Sequence, residues 1–95
     1  MPATAYTVHH DSAARRFAID TDGQRSELTY RRAGDVLSLT HTGVPPALEG
    51  RGIAAALVQA ALNHARQHGL TVRPLCSYAQ AYMQRHPETL DLLAH

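Results

Sequence analysis

One stretch of the chain repeats its apolar side chains at helical spacing, and this pattern limits the folds that are open to it. The apolar positions are Ile53, Leu57, Val58, Ala61, Leu62 and Ala65. They fall on one face of an α-helix, which must pack against another layer of the protein. Gly69 follows as a C-terminal cap, and Pro45-Pro46 precedes the stripe and can neither continue a strand nor lie inside a helix. The sequence therefore predicts one amphipathic helix over residues 52–68.

The segments on either side of this helix alternate apolar and polar residues, which is typical of half-buried strands. Turn residues at 21–23 and 33–35 separate the strands before the helix, at a spacing that indicates an antiparallel meander. The predicted strands are residues 7–10, 15–20, 26–31, 36–44 and 70–75, and further helical segments are predicted at 78–85 and 88–93. If strands 36–44 and 70–75 pair in parallel, the helix between them forms a βαβ crossover. We therefore expect a single α+β domain over residues 1–95, with ligands at the C-terminal ends of those two strands.

Charge and composition exclude several classes of protein. The 95 residues carry a formal net charge of +1, so no bulk field draws the chain to nucleic acid, and the arginines at 15, 16, 31 and 32 make only a weak case for binding it. No segment approaches the roughly 20 apolar residues that span a bilayer, and no signal peptide is recognisable. Cys76 is the only cysteine, which rules out an internal disulfide and suits a reducing cytoplasm. We expect a cytoplasmic protein without membrane attachment, as a monomer or a small homo-oligomer.

Two glycines stand at the start of the predicted helix, in the sequence LEGRGIAA at residues 48–55. The free N–H groups of a helix N-terminus carry about half a positive charge and bind phosphate where the backbone can be approached. Gly50 and Gly52 remove the side chains that would obstruct this approach, and Arg51 adds a charged donor. The alternative is that the glycines only form a tight turn. A P-loop is excluded because GxxxxGK[ST] is absent, and a nicotinamide cofactor is not expected because Ala55 takes the place of the last glycine of the dinucleotide fingerprint.

The stretch VPPALEGRGIAAALVQAAL resembles the acyl-CoA signature of the GNAT superfamily of N-acetyltransferases, whose core is Q/R-x-x-G-x-G/A. Gly52-Ile53-Ala54 match the G-x-G/A part, while Glu49 stands where the pattern usually has Gln or Arg. The later stretch LTVRPLCSYAQAYMQRHPE is similar to a small single-domain subfamily with a P-x-C-x-Y…RHPE tail. In that subfamily a glutamate is expected where this chain has Gly43.

The resemblance implies a mixed, mostly antiparallel GNAT-like sheet with a βαβ coenzyme A-binding unit and a C-terminal helix. The implied cofactor is acetyl-CoA, whose pantetheine arm would pair with the strand that ends near Val44 and whose pyrophosphate would lie on the backbone of residues 51–55. The predicted cofactor-binding residues are Val44, Gly50, Arg51, Gly52, Ile53, Ala54, Ala55, Tyr78 and Tyr82. The two tyrosines lie four residues apart on the second helix, and packing against the sheet is their alternative role.

Acetyl transfer to an amine needs a neutral amine, donors for the developing oxyanion and a proton for the leaving thiolate. Many members of the resembled superfamily supply that proton from a tyrosine near the end of the fifth strand, and Cys76 occupies the corresponding place here. A helix N-terminus follows it, which favours the thiolate. Cys76 could therefore protonate the leaving thiol, accept the acetyl group covalently, or only pack. His41 is the predicted catalytic partner because its imidazole can take a proton from an amine or a thiol, with a surface role as the alternative.

The favoured function is an acetyl-CoA-dependent N-acetyltransferase that moves an acetyl group to an amine, with Cys76 near the thioester. The alternative is a non-catalytic acyl-CoA-binding or regulatory module. The amine acceptor, whether small molecule, peptide or protein, is not specified by the sequence. His64 and His68 have a metal-ligand spacing, but without cysteine or acidic companions nearby they predict a solvated surface and no metal site.

Overall fold

The computed structural model describes residues 6–94, and its elements follow the predicted order. The strands are β1 (His9–Asp11), β2 (Arg16–Thr21), β3 (Gln24–Ala33), β4 (Val36–Gly43) and β5 (Thr71–Pro74), and the helices are α1 (Ile53–Gln67) and α2 (Ser77–Arg85). Short 3₁₀ segments cover Pro46–Leu48 and Pro87–Leu92. The domain predicted over residues 1–95 also includes residues 1–5 and 95, which lie outside the described part of the chain.

The strands form one sheet of five in the order β1-β2-β3-β4-β5. Strands β1 to β4 pair antiparallel as a meander, and β4 pairs in parallel with β5, from Val36 opposite Thr71 to Leu39 opposite Pro74. Because α1 connects these two parallel strands, the predicted βαβ unit is confirmed, and so is the mixed, mostly antiparallel α+β architecture.

One face of the sheet, called here the inner face, carries the apolar side chains that pack with α1. Phe17, Leu28, Leu37 and Leu39 belong to it and are at most 3% exposed. The residues of α1 that are buried in this core are Ile53, Leu57, Val58, Ala61, Leu62 and Ala65, which are the six predicted positions. The outer face is polar, as is usual for an antiparallel sheet with one solvated side. No helix within residues 6–94 combines the length and the apolar character that crossing a membrane requires.

A β-bulge interrupts the pairing of β3 with β4. Tyr30 lies opposite Leu39, but the next pair is Thr29 opposite His41, so Thr40 has no partner on β3. The hydroxyl of Thr40 donates to the carbonyl oxygen of Thr29 at 3.1 Å and lies 2.9 Å from its Oγ1 atom. These contacts stabilise the extra residue.

The bulge decides which side chains near the end of β4 face inward. Directly paired residues share a face of the sheet, and Thr42 is paired with the buried Leu28. Thr42 is therefore on the inner face. His41 is paired with Thr29 and lies on the outer face.

Candidate functional site

A cavity of about 380 Å³ opens where β4 ends and α1 begins, and is called here the β4–α1 cavity. Its walls come from the end of β4, the segment that connects β4 to α1, the first turn of α1 and the start of α2. The lining residues are Thr42, Val44, Leu48, Glu49, Gly50, Gly52, Ile53, Ala54 and Tyr78. Because β4 and β5 are parallel, this cavity lies beyond their C-terminal ends, where ligands of βαβ units bind.

The N-terminus of α1 presents backbone donors to this cavity without a side-chain cap. Gly52 is the N-cap residue with φ of 80°, and Gly50 has φ of 82°, so both take left-handed conformations that glycine adopts without steric cost. The first hydrogen bond of the helix runs from the N–H of Ala56 to the carbonyl oxygen of Gly52 at 3.1 Å. Within residues 6–94, the N–H groups of Ile53 and Ala54 have no acceptor, and they remain available to a ligand.

The space in front of the two glycines is open. A Cβ atom added to Gly50 or Gly52 would meet no other atom of the described chain within 4 Å. Glycine is therefore required at these positions by the backbone angle and not by packing within the protein. Free donors, the positive end of the helix dipole and open space together are what an anion needs.

The side chain of Arg51 does not line this cavity, and its contact with the anion stays a prediction. Its Nη1 atom lies 3.2 Å from Oδ2 of Asp22, in the turn between β2 and β3, because the carboxylate attracts the guanidinium. The carbonyl oxygen of Arg51 accepts a hydrogen bond from the hydroxyl of Tyr6 at 2.7 Å. Both contacts stabilise the loop that contains Gly50 and Gly52, so Arg51 helps to position these glycines from outside the cavity.

Two more of the predicted cofactor-binding residues lie away from the cavity walls. Ala55 is in the first turn of α1 but does not line the cavity. Tyr82 is 8% exposed, belongs to the core and stacks on His86 with ring centroids 4.1 Å apart. It lies one helical turn beyond Tyr78, and this turn carries it away from the opening and towards the C-terminal 3₁₀ segment. Tyr82 therefore has the packing role. The predicted residues that do line the cavity are Val44, Gly50, Gly52, Ile53, Ala54 and Tyr78.

Cys76 lies beside the cavity, at the N-cap of α2. Its Sγ atom is hydrogen-bonded to Oγ1 of Thr42 at 3.5 Å, a contact in which the hydroxyl donates once the sulfur is a thiolate, and Thr42 is part of the cavity wall. The backbone N–H groups of Leu75 and Cys76 both donate to the carbonyl oxygen of Leu39 at 3.0 Å. These bonds hold the start of α2 against β4, so the position of the sulfur is fixed relative to the cavity.

The surroundings of Cys76 favour its thiolate form. Partial burial by itself raises the pKa of the thiol. Hydrogen bonds to the Thr42 hydroxyl and to backbone groups of Ala79, Tyr78 and Thr42 outweigh this effect, so the pKa lies below its ordinary value. Two of these groups belong to the first turn of α2, whose dipole acts in the same direction.

His41 and Cys76 are not brought together, because His41 lies on the outer face of the sheet whereas Cys76 contacts Thr42 on the inner face, and a catalytic role of His41 stays a prediction. The bulge at Thr40 turns the imidazole to the outer face, where it is exposed and covers Gly43, with Nε2 3.1 Å from the position of an added Cβ atom. Thr42 takes the place beside the sulfur. Thr42 is not predictable from the sequence, because the bulge that turns it inward depends on the pairing of two strands and leaves no local signal.

Replacing Thr42 with valine tests its contact with the thiol, because valine keeps the shape of the side chain and loses the hydroxyl. The hydrogen bond lowers the pKa of Cys76, so its loss raises this pKa and slows alkylation by iodoacetamide at pH 7 roughly two- to tenfold. The rate measured against pH should shift to higher pH. Ser38→Ala, on the outer face of the same strand, should leave the profile unchanged. A T42V profile that overlays that of the unmodified protein would contradict the contact.

Comparisons with known proteins cover nearly the whole described chain. A family model described as GCN5-related N-acetyl-transferase matches residues 16–92. The chain is 35% identical over 89 residues to Protein NATD1 of Xenopus tropicalis, covering 90% of this chain and 82% of that protein. It is 37% identical over 83 residues to Protein NATD1 of Homo sapiens, covering 84% and 74%. The NMR solution structure of a GCN5-like protein from Staphylococcus aureus matches with a TM-score of 0.74 at 26% identity, covering 94% of this chain and 88% of that one. The residues matched by the family model include every wall of the β4–α1 cavity.

Proposed function

Because the chain belongs to the GCN5-related N-acetyltransferase family, we propose that it transfers an acetyl group from acetyl-CoA to an amine. The observation that supports acetyl-CoA as the cofactor is the N-terminus of α1. It has no side-chain cap, and its two positive-φ glycines face open space in the β4–α1 cavity. We also place the chain in the small single-domain branch with the P-x-C-x-Y…RHPE tail, on the resemblance of its sequence.

The end of β4 suits the pantetheine arm of the cofactor. Pairing between β4 and β5 stops at Leu39 opposite Pro74, so among residues 6–94 the backbone of residues 40–43 has no strand neighbour on that side. Pro74 has no N–H group and cannot extend the ladder. We propose that the amide groups of the arm pair with this free edge and with Val44, while the N–H groups of Gly52, Ile53 and Ala54 hold the pyrophosphate.

Bound acetyl-CoA supplies an activated thioester, and Cys76 is the residue of the chain that we place beside it. Sγ of Cys76 can give a proton to the leaving thiolate, or it can accept the acetyl group itself. The hydrogen bonds that lower the pKa of this thiol favour the thiolate, and thus support the second role. Either role needs a reduced sulfur, which is consistent with our proposal of a cytoplasmic protein that acts as a monomer or a small homo-oligomer.

The amine acceptor is proposed to approach from the outer side of the sheet. A second hollow of about 420 Å³ lies there, and its lining residues are Arg25, Glu27, Gly43, Val44 and Pro45. Val44 is shared with the β4–α1 cavity, so this hollow adjoins the place proposed for the thioester. The hollow is open and lacks a covering segment among residues 6–94, which suits an amine on a peptide or protein as well as a small molecule.

The proposed function is tested by titrating acetyl-CoA into the protein and by following release of the free thiol of coenzyme A with a panel of amines. We expect saturable binding, and thiol release that depends on an amine. Absence of binding at millimolar acetyl-CoA would overturn the proposal.

One observation favours a second candidate, a module that binds acyl-CoA without turning it over. In the part of the chain that the structure describes, no imidazole lines the β4–α1 cavity, because His41 faces outward. Under this second candidate, acetyl-CoA binds with the same dependence on Gly52, but no amine accelerates release of the thiol. Amine-dependent release that is lost in Cys76→Ala would eliminate it.

Glu49 is expected to weaken cofactor binding, since this acidic residue is part of the cavity wall next to the place proposed for the pyrophosphate. Glu49→Gln removes this repulsion and should tighten acetyl-CoA binding roughly two- to fivefold, with a smaller gain at high salt. Isothermal titration calorimetry at two salt concentrations measures the effect. Asp35→Asn removes the same charge at the opposite end of β4 and should change the affinity little. Weaker binding by E49Q would contradict an anion at this position.

A further inference from the structure

Three histidines meet at the end of α1 that is remote from the β4–α1 cavity. His10 comes from β1, and His64 and His68 come from the last turns of α1 and its end. The ring centroids of His10 and His64 are 4.6 Å apart, and those of His64 and His68 are 4.2 Å apart. His64 lies roughly 16 Å along the helix from Ile53, so this cluster is separate from the site proposed for acetyl-CoA.

The three imidazoles form part of a hollow of about 460 Å³, called here the histidine hollow. Its lining residues are His10, Ser12, Arg15, Tyr30, Arg32, Gly34, His64 and His68. No carboxylate belongs to this lining among residues 6–94. Every ionisable lining group other than Tyr30 is therefore a cation or a potential cation.

Arg15 and Arg32 supply fixed positive charge to the histidine hollow. Neither forms an ion pair within residues 6–94, whereas Arg16, Arg25 and Arg66 are each paired with a carboxylate. The Nε atom of Arg32 donates to the carbonyl oxygen of Gly34 at 3.3 Å, which leaves its terminal nitrogens unpaired. Two guanidinium groups that lack counter-ions line one hollow, which is the arrangement that recognises phosphate.

Arg15 is held at the rim by an unusual backbone. Its φ is 56°, a left-handed conformation that residues other than glycine, asparagine and aspartate rarely adopt. Its N–H donates to the carbonyl oxygen of Ser12 at 3.3 Å, and its own carbonyl oxygen accepts the N–H of Tyr30 at 3.0 Å. Glycine would adopt this positive φ at a lower conformational cost, so the backbone conformation of the turn does not explain why an arginine is found here.

The geometry of the imidazoles favours an anion over a metal ion. Nδ1 of His68 is 2.9 Å from the carbonyl oxygen of His64, and Nε2 of His10 is hydrogen-bonded to the hydroxyl of Tyr30. Two of the ring nitrogens are therefore already engaged. Residues 6–94 contain no group of three or more His, Cys, Asp or Glu side chains arranged to hold a metal ion. The two arginines would in addition repel a divalent cation.

The positive charge of the hollow increases as the pH falls. Partial burial lowers the pKa of His10, repulsion from His68 lowers it further, and the charge of Asp11 opposes this. Partial burial also lowers the pKa of His64, and His10, His68 and Arg32 add to the effect. Without a ligand, the surroundings of both imidazoles thus favour the neutral form. An anion that relieves their mutual repulsion makes protonation easier.

The other charged and titratable groups around the hollow do not cancel this trend. Burial raises the pKa of Tyr30, so its hydroxyl stays neutral and can donate a hydrogen bond. Asp11 does not line the hollow, and its Oδ1 atom accepts the N–H of Ala14 at 3.1 Å. Protonation of His10 and His64 is therefore the change that adds positive charge to the hollow as the pH falls.

We propose that the histidine hollow is a binding site for a doubly charged tetrahedral oxyanion, either inorganic phosphate or a phosphate monoester. Arg15 and Arg32 supply the permanent charge, and the imidazoles add donors when they are protonated. The site is independent of the function proposed for the β4–α1 cavity, because the two share no residue.

The test is an NMR titration that follows the imidazole signals of His10, His64 and His68, assigned with single His→Gln variants. These signals report the histidine hollow and not the phosphate position proposed at α1. Sodium sulfate is the first probe, because it stays doubly charged between pH 6 and pH 8, so any pH dependence comes from the protein. We expect saturable shifts, with an affinity at pH 6 at least about fivefold higher than at pH 8. Absence of saturation at tens of millimolar sulfate at pH 6 would overturn the proposal.

Inorganic phosphate and glycerol phosphate then distinguish the two sources of the oxyanion. Tighter binding of glycerol phosphate identifies an ester as the ligand. Equal or tighter binding of inorganic phosphate identifies the free ion. Either result supports the site. Failure of both to shift the three imidazole signals would overturn it.

Two neighbouring arginines on β3 provide a matched pair of variants. Arg31 and Arg32 are adjacent, so their side chains leave opposite faces of the sheet, and only Arg32 lines the hollow. Arg32→Gln should weaken sulfate binding roughly tenfold or more, while Arg31→Gln removes the same charge and should change it less than about twofold. Equal losses would mean that net charge alone attracts the ion, which would overturn the proposal.

Arg15→Gly gives a second route that does not depend on the stability of Arg32→Gln. Glycine adopts the positive φ of this position freely, so the variant should fold at least as well as the unmodified protein while losing the guanidinium. We expect roughly tenfold weaker sulfate binding with an unchanged or higher melting temperature. Unchanged sulfate affinity in Arg15→Gly would overturn the role of this arginine and with it the proposed site.

Discussion

Replacing Gly52 with valine is expected to weaken acetyl-CoA binding roughly 100-fold or more in a protein that still folds. The N-cap glycine has φ of 80°, and an added side chain would project into the open space before the free N–H groups of Ile53 and Ala54. A β-branched side chain there keeps a phosphate from these donors. Charge-assisted hydrogen bonds contribute about 1.5–3 kcal/mol each, so the loss of two accounts for an effect of this size. Isothermal titration calorimetry with acetyl-CoA measures it.

Gly69→Val is the matched control for this experiment. Gly69 lies just after the other end of α1, has φ of 67°, and also has no atom within 4 Å of an added Cβ. Both variants place valine in a left-handed conformation, so both should lower the free energy of unfolding by about 1–2 kcal/mol. Only Gly52→Val should lose acetyl-CoA. Equal losses of affinity in the two variants would trace the effect to the stability of α1, and contradict a phosphate site at its N-terminus.

Replacing Cys76 with alanine is expected to slow acetyl transfer by roughly 10²- to 10⁴-fold while acetyl-CoA affinity changes little. The sulfur is fixed beside the cavity by Thr42 and by the start of α2, but it is not one of the groups that we assign to the phosphate. Loss of a positioned nucleophile or proton donor therefore affects the rate and spares binding. Single-turnover release of the coenzyme A thiol gives the rate, and calorimetry gives the affinity.

Ser77→Ala is the control for Cys76→Ala, because Ser77 is the exposed first residue of the same helix and its replacement should leave the rate unchanged. Intact mass after exposure to acetyl-CoA then separates the two roles of the sulfur. A gain of one acetyl group that disappears in Cys76→Ala identifies covalent transfer. Full turnover without such a gain identifies proton donation. Transfer at the original rate by Cys76→Ala would contradict both roles.

The helical part of the fold could be predicted because its signals are local. The apolar stripe of α1 needs only the helical period, and Gly69 ends the helix through its own backbone preference. The same holds for Gly50 and Gly52, because their place directly before a helix is a local signal for an open backbone at its start. The meander of β1 to β4 was predictable for a similar reason, since its turns are short and rich in glycine and aspartate.

The contact between Thr42 and Cys76 could not be predicted, because it depends on a register shift between two strands. Regular alternation from Leu37 and Leu39 would place residue 41 on the inner face. The extra residue, Thr40, reverses the alternation, so Thr42 faces the sulfur and His41 faces solvent. The bulge is stabilised by Thr29 on the neighbouring strand, and the sequence of β4 alone does not predict it.

Side-chain direction was the second limit of prediction from sequence. The motif places Arg51 near the predicted anion site, but its guanidinium is paired with Asp22, which is distant in the sequence. The spacing of His64 and His68 was visible, whereas the contribution of His10 depends on where β1 lies in the sheet. Contacts between residues that are distant in sequence determine where these side chains point, and a local sequence pattern cannot predict such contacts.

The central claim is that the N-terminus of α1 and the free edge of β4 hold acetyl-CoA. Titration of ¹⁵N-labelled protein with acetyl-CoA, followed through its backbone amide signals, tests this most directly. We expect the largest shifts at Gly50, Gly52, Ile53, Ala54 and Val44, with saturation below about 1 mM. Shifts that spare these amides, or no saturable shift at millimolar acetyl-CoA, would contradict the claim.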